Sequence, residues 1–287
     1  MTEQEYLNLI EESIKEINLI DFEKNGAYEE VVNAFRKIPK LPIILFKLPK
    51  DYSIYRARIN SGNVLFTKVS EISAPEEKNV KKYGRANQPS QVVFYGSETR
   101  PVAYLEFVTY LAETTPIGEE AMITVGAWTL LKELQLVLVF NPSLARDNEY
   151  NKYHGEAFDD FIRKMPVEFK KGTIRFFEFI GEEYAKLSDK NEATYKITCA
   201  YSNIVYCQKD YDGLIYPSVQ FSGEGFNVAL KKDTITKKNI QLDSVMVDKF
   251  IATQQENGKH DFRNNASKHA QNIAETDIEW EDAWKTF

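Results

Sequence analysis

The chain has 287 residues, 43% of them hydrophobic and 28% charged, the composition of a globular protein long enough to bury a sizeable core. A net charge of −7 and a pI near 5.3 argue against a general polyanion-binding surface, so nucleic acid is not an expected partner, although a local basic cleft stays open. The apolar runs LPIILFKL and LQLVLVF fall well short of a membrane span, and the acidic, amphipathic start MTEQEYLNLIEESIKEI is unlike a secretory signal, so a cytoplasmic protein with no membrane partner is expected.

In chain order, Tyr6, Leu7, Ile10, Ile14 and Ile17 recur at helical spacing over residues 3–18. Gly26 interrupts, AYEEVVNAFRKI predicts a second helix ending before Pro39, and PIILFKLPKDY leads into a strand. In SIYRARI the alternation puts Ile54, Arg56 and Arg58 on one face and Tyr55, Ala57 and Ile59 on the other. Two arginines on one strand face ordinarily mark a solvated face; the alternative is that one of them lines an anion site. Residues 60–82 show no sustained periodicity, and their length suggests a functional or a mobile loop.

Gly84-Arg85 precedes the strand QVVFY; Gly96, Ser97 and Thr99 then punctuate, and Pro101 sits where a first helical turn accepts proline. The helix from there runs to about Glu113. AMITVGAWTLL and ELQLVLVF are strand candidates, and 155–164, 172–187 and 191–207 form a helical block with Phe158, Phe161, Phe176, Phe177 and Phe179 as core. DGLIYPSVQ predicts a strand, SGEG a turn, FNVALKK its partner and MVDKFIATQQ a further strand. The tail from Asn257 is polar, but Trp280 and Trp284 suggest that its end docks. Cys199 and Cys207, placed in one helix, are expected to be buried small residues. Helices and strands are interspersed without repeats, which predicts an α+β or α/β domain.

Several residues carry chemistry. Glu106 shares its helix face with Val102, Ala103, Thr109 and Tyr110, none of them charged, so a desolvated carboxylate there needs a cationic partner such as Arg85, Arg56 or a bound group. Arg85 has the fork that suits bidentate phosphate contact. Tyr95 and Ser218 are otherwise unremarked, a half-buried aromatic and a local hydrogen bonder. No nucleophile elbow, P-loop or dinucleotide fingerprint is present. His154, His260 and His269 lack metal-ligand spacing, so no metal is expected.

The stretch YGRANQPSQVVFYGSETRPVAYLE sets Arg85, Tyr95 and Glu106 at intervals of 10 and then 11 residues, and YDGLIYPSVQFSGEGFNVAL adds Ser218 and Asn227 downstream. In order, type and spacing these resemble the RES domain, a family named for an arginine, a glutamate and a serine. Arg56, in a Tyr-Arg strand of the kind that opens such domains, extends the likeness. Ala86 stands where many members carry a bulkier residue such as Trp, and Ser90 replaces a glycine often seen after the proline; both bear on the pocket rim.

The resemblance implies a mixed sheet with flanking helices, similar to ADP-ribosyltransferases, over a core at 51–235. Residues 1–50 would form a helical extension and 236–287 a C-terminal one packing on the core. It implies NAD as substrate rather than cofactor, cleaved at the nicotinamide–ribose bond by hydrolysis or phosphorolysis, and a toxin restrained by an antitoxin protein. Glu106, Arg85 and Tyr95 would be catalytic, and Arg56, Arg85, Tyr95, Ser218 and Asn227 would bind NAD in one cleft. A mono-ADP-ribosyltransferase acting on a protein is the alternative. A non-catalytic nucleotide-binding module is the third reading, against which the complete set of residues argues.

Overall fold

The computed structural model of the protein describes residues 1–186, 195–220, 225–255 and 260–287. It has an α+β fold whose strands pair in mixed sense, with flanking helices. The chain divides into two compact units, each assembled from three stretches: Met1–Leu48, Glu76–Val93 and Leu134–Lys231 form the first, and Pro49–Pro75, Phe94–Glu133 and Lys232–Phe287 the second.

In the first unit, helix α1 (Glu3–Asn18) opens with a capping box: Thr2 Oγ1 accepts from Glu5 N–H while the Glu5 carboxylate accepts from Thr2 N–H. Its stripe of Tyr6, Ile10, Ile14 and Ile17 is buried, as the spacing predicts, and packs on α6 (Val167–Ala185). The helices approach closely because α6 offers Gly172 there; a Cβ at that position would stand 2.5 Å from Tyr6 Cδ1. Helix α2 (Ala27–Arg36) packs on α7 (Tyr195–Tyr206), and α5 (Glu149–Lys164) completes the set. Four strands pair in the order β1 (Leu45–Leu48), β5 (Leu134–Leu138), β6 (Gly213–Pro217) and β7 (Phe226–Lys231), with β5 and β6 parallel and the other neighbours antiparallel.

Phe158, Phe176, Phe177 and Phe179 are core residues here, whereas Phe161 is only half-buried. Cys199 is buried, and burial pushes its thiol pKa up; Cys207 lies just past the end of α7 and is exposed, contrary to expectation, because the helix has stopped before it. The expected turn over 222–225 falls largely outside the described residues, as do residue 187 and the start of the helix expected over 191–207.

The second unit is an antiparallel sheet in the order β3 (Val93–Ser97), β2 (Ser53–Ile59), β4 (Glu120–Leu130), β8 (Ile240–Gln254), β9 (His260–Ile273) and β10 (Ile278–Trp280), with β11 (Lys285–Thr286) also on β9. Helix α4 (Arg100–Thr114) begins at Thr99, whose side chain accepts from Val102 N–H, with Pro101 in the first turn. It covers the sheet face made by Ala57, Ala121, Ile123 and Val125. A short helix, α8 (Lys232–Thr236), leads into β8.

Three expectations are corrected in this unit. Gly96 and Ser97 continue the strand instead of breaking it, since Ser97 pairs with Tyr55. The polar tail holds a 14-residue strand, β9, which hydrophobic periodicity misses because its stability comes from pairing with β8 along most of its length. Residues 60–75 are structured by 3-10 helix Ser61–Asn63 and helix α3 (Val69–Ile72), with Ile72 fully buried. The C-terminal segment fastens them: Trp280 Nε1 donates to Phe66 O at 2.7 Å, and Ile278 N–H to Thr67 O at 2.8 Å. Trp284 lies under the Lys249 ammonium, 4.4 Å from its ring centroid, so both tryptophans dock as their placement in a polar tail suggests.

Candidate active site

The sequence singles out six residues. Arg56, Tyr95 and Glu106 belong to the second unit, and Arg85, Ser218 and Asn227 to the first.

In the second unit, Arg56 is not solvated. Its Nε donates to Ser73 O at 3.1 Å, its Nη1 to Tyr95 O at 2.7 Å, and its Cζ lies 5.2 Å over the Phe94 ring. Burial, and then the neighbouring Arg58 charge, bring its pKa down to about 10, which leaves it charged at neutral pH. Arg58 likewise donates to Glu71 O and lies over Phe66. The solvated-face reading therefore fails, because residues 60–75 fold over both arginines. The cross-strand partner of Arg56 is Gly126, and there is no room for a side chain there: a Cβ would stand 2.8 Å from Leu242 Cδ1.

The pairing of Tyr55 with Ser97 places the Tyr95 ring on the sheet face opposite the Arg56 guanidinium, the face that α4 covers. Arg56 thus grips the backbone of β3 from behind while Tyr95 projects from the front. Glu106 stands on α4 and is exposed, so the expected desolvation of its carboxylate does not occur.

In the first unit, Gly84 and Asn87 close a tight turn through mutual backbone hydrogen bonds, and Asn87 Nδ2 donates to Lys82 O and Gln88 O. The turn presents Arg85 to the C-terminal end of α6, where Nη1 donates to Tyr184 O at 2.6 Å and Nη2 to Lys186 O at 3.1 Å. A guanidinium there meets helix carbonyls that lack intrahelical donors and the negative end of the helix dipole. Its Cζ also lies 5.4 Å from the Tyr195 ring centroid. Ala86, small where a bulkier residue is common, is fully buried, and Ser90 adopts φ 64°.

Ser218 and Asn227 are buried on the β6–β7 ladder. Asn227 pairs with Tyr216, and Ser218 N–H donates to Gly225 O at 2.8 Å, so Tyr216, Ser218 and Asn227 share a face. The Tyr216 ring lies 5.4 Å from that of Tyr184, whose hydroxyl meets Ser202 Oγ at 2.7 Å. Tyr184 is therefore the common neighbour: its carbonyl holds Arg85 and its ring meets the strand that leads to Ser218. Nothing in the sequence marks it, since a tyrosine in a Phe-rich helix reads as core.

The second unit also holds a cavity of about 490 Å³, floored by Ser53, Tyr55, Val125, Ala127, Ser244 and Met246 and walled by the start of α4. None of the six residues lines it. Among the described residues no cluster of three or more His, Cys, Asp or Glu is placed to hold a metal, and no helix is long and apolar enough to cross a membrane.

No curated protein sequence matches the chain. A chain of the crystallised M. tuberculosis MbcT–MbcA toxin–antitoxin complex is similar in structure, with a TM-score of 0.36, 10% sequence identity, and coverage of 69% of this chain and 85% of that one. A family model for the RES domain matches residues 53–247, a span that includes all six candidate residues and parts of both units. The chain belongs to the RES domain family.

Proposed function

We propose that the protein is a RES-type toxin that breaks the nicotinamide–ribose bond of NAD and so drains the cellular NAD pool. The observation that carries this reading is the family match across 53–247, within which arginine, tyrosine, glutamate and serine are all retained. Nicotinamide leaves with the bonding electron pair and becomes neutral, so no acid is needed to protonate it. The ribose C1′ is left oxocarbenium-like, as in glycoside cleavage, and water or phosphate attacks it and gives up a proton. Glu106 supplies the negative charge that faces this cation. Arg85 holds a phosphate with guanidinium N–H groups beyond those given to backbone carbonyls, and Arg56 contributes from behind the sheet by holding the Tyr95 carbonyl. Tyr95 stacks on nicotinamide or the ribose edge, and Ser218 and Asn227 hydrogen-bond the carboxamide or ribose. A protein that consumes NAD needs restraint in the cell that makes it, and a neutralising antitoxin is the partner this reading entails.

The exposure of Glu106 favours one second reading, mono-ADP-ribosylation of a protein. Glu106 lies at an exposed position that a macromolecular acceptor can reach, and Val108 and Tyr110 on the same helix are 37% and 56% exposed. The test is to incubate purified protein with NAD, with and without inorganic phosphate, and to identify the products. Free ADP-ribose supports hydrolysis, ADP-ribose 1″-phosphate supports phosphorolysis, and label retained on protein supports the transferase. NAD left intact under all conditions overturns the catalytic reading.

A further inference from the structure

Asp248 is 1% exposed, on the face of β8 that also carries Met246 and Phe250. No cation meets it within salt-bridge distance among the described residues. Its carboxylate accepts instead from three neutral donors: Tyr104 Oη, Ser267 Oγ and Asn264 Nδ2, the last at 3.2 Å. Burying a carboxylate is unfavourable even when it is fully hydrogen-bonded, and an apolar residue would fill this place at less cost. Burial and the adjacent Asp248 push the Tyr104 pKa up, so its hydroxyl keeps its proton and remains a donor.

Apart from an Arg100 contact with Met246, the rest of the contact of α4 with the sheet is apolar: Ala103, Leu111 and the partly buried Phe107 on the helix against Ala57, Ala121, Ile123 and Val125. Such a contact resists separation but does little to fix how the helix rolls about its axis. A directed hydrogen bond to a buried carboxylate does fix it, because the hydroxyl loses its partner if the helix turns. Tyr104 precedes Glu106 by two residues, which in a helix puts their side chains on nearly opposite sides. The tie on one side of the helix therefore sets the azimuth on the other. With side-chain tips about 5–6 Å from the axis, a roll of about 20° carries the Glu106 carboxylate roughly 2 Å. Displacements on that scale are enough to lose a hundredfold in rate.

We infer that Asp248, through Tyr104, is a positioning residue that holds the roll of α4 and thereby aims Glu106. The inference rests on the reading of Glu106 as the charge that faces the ribosyl cation. It is tested with Tyr104→Phe, which keeps the ring packed 5.3 Å from Phe250 and removes only the hydroxyl, alongside Glu106→Gln and the double variant. For Tyr104→Phe we expect kcat for NAD cleavage to fall about tenfold to a hundredfold with KM within about twofold of wild type. The double variant should be no slower than Glu106→Gln, since an aim no longer matters once the charge is gone. Amide exchange over residues 102–111 should also quicken in Tyr104→Phe without a change in the protection of β4. Full activity in Tyr104→Phe beside an impaired Glu106→Gln overturns the positioning role alone, as do losses that multiply in the double variant. Wild-type turnover by Glu106→Gln overturns the role of Glu106 and the positioning with it. If the wild type leaves NAD intact the catalytic reading falls, and unchanged exchange in Tyr104→Phe then overturns the anchor separately.

Discussion

The Arg56 guanidinium donates to the Tyr95 carbonyl at 2.7 Å and to the Ser73 carbonyl at 3.1 Å, joining strand β3 to the segment that closes over β2. A lysine has one nitrogen where arginine has a rigid fork, and cannot bridge both carbonyls in this geometry. Arg56→Lys should therefore lose about 2–3 kcal/mol of stability, the loss of charge-assisted hydrogen bonds that leaves a half-buried carbonyl unsatisfied. Urea unfolding of the two proteins measures it. Equal stability would show that the bridge contributes nothing and that Arg56 is held for another purpose.

Ser90 has φ 64°, in the left-handed region that a side chain disfavours, and its N–H donates to Val80 O at 2.8 Å. The position is one where glycine is common in the proteins this chain resembles, and the backbone gives the reason. Ser90→Gly should raise stability by about 1 kcal/mol, the relief of left-handed strain offset in part by the greater freedom of glycine when unfolded. Thermal and urea denaturation read the change directly; a destabilised variant would mean that the serine side chain contributes more than its backbone strain removes.

What the sequence revealed followed the range of the interactions involved. The stripe Tyr6, Ile10, Ile14 and Ile17 marks α1 because helical burial is periodic over a few residues. Strand β9, HDFRNNASKHAQNI, has no such stripe, and only its partners β8, β10 and β11 make it a strand. The fate of Arg56 and Arg58 was hidden for the same reason, since their cover comes from residues 60–75, held in turn by Trp280 and Ile278 from the far end of the chain. The candidate site was legible as a pattern of residue types, and its supports were not. Tyr184 and Tyr104 look like core aromatics. Asp248 did leave a trace, an acid in the middle of MVDKF on the face shared with Met246 and Phe250.

His154 offers a test of the first unit by pH. It is 3% exposed, with its ring centroid 4.0 Å from that of Tyr150 and 4.9 Å from Phe46, and burial brings its pKa down to about 4 from 6.5. Above pH 6.5 neither state binds a proton here and the stability is intact. As the pH falls from 6.5 towards 4 the unfolded chain takes up a proton that the folded imidazole refuses, so stability is lost. Between pH 7 and 4.5 the loss should be on the order of 2–3 kcal/mol. The depressed carboxylates Asp159, Asp160 and Asp277 exert their effect mainly at lower pH. Urea unfolding at both pH values, in wild type and in His154→Phe, isolates the histidine. An equal decline in the two proteins would overturn its part.

Arg85 has two tasks that one substitution separates. It holds the carbonyls of Tyr184 and Lys186, and on the proposed reading it also holds a phosphate of NAD. A phosphate contact is made before and during the reaction, so Arg85→Ala should weaken NAD binding itself, by about 2 kcal/mol or some thirtyfold in Kd, with kcat less affected. Calorimetric titration of both proteins with NAD, at matched stability in added osmolyte, checks it. Unchanged affinity would confine Arg85 to capping α6.

Glu106 should behave in the opposite way. If its charge faces the ribosyl cation, it matters chiefly in the transition state, because ground-state NAD already carries its positive charge dispersed over the nicotinamide ring. Glu106→Gln keeps the size and one hydrogen-bonding oxygen, and the carboxylate is exposed, so folding should be undisturbed. Removing one transition-state electrostatic contact is typically worth about 3–4 kcal/mol, roughly a hundredfold to a thousandfold in rate. That loss should fall on turnover while NAD affinity stays near wild type. Single-turnover kinetics beside equilibrium binding separate the two quantities. Turnover at the wild-type rate would remove Glu106 from the chemistry, and with it the reason for an acidic side chain at this point on α4.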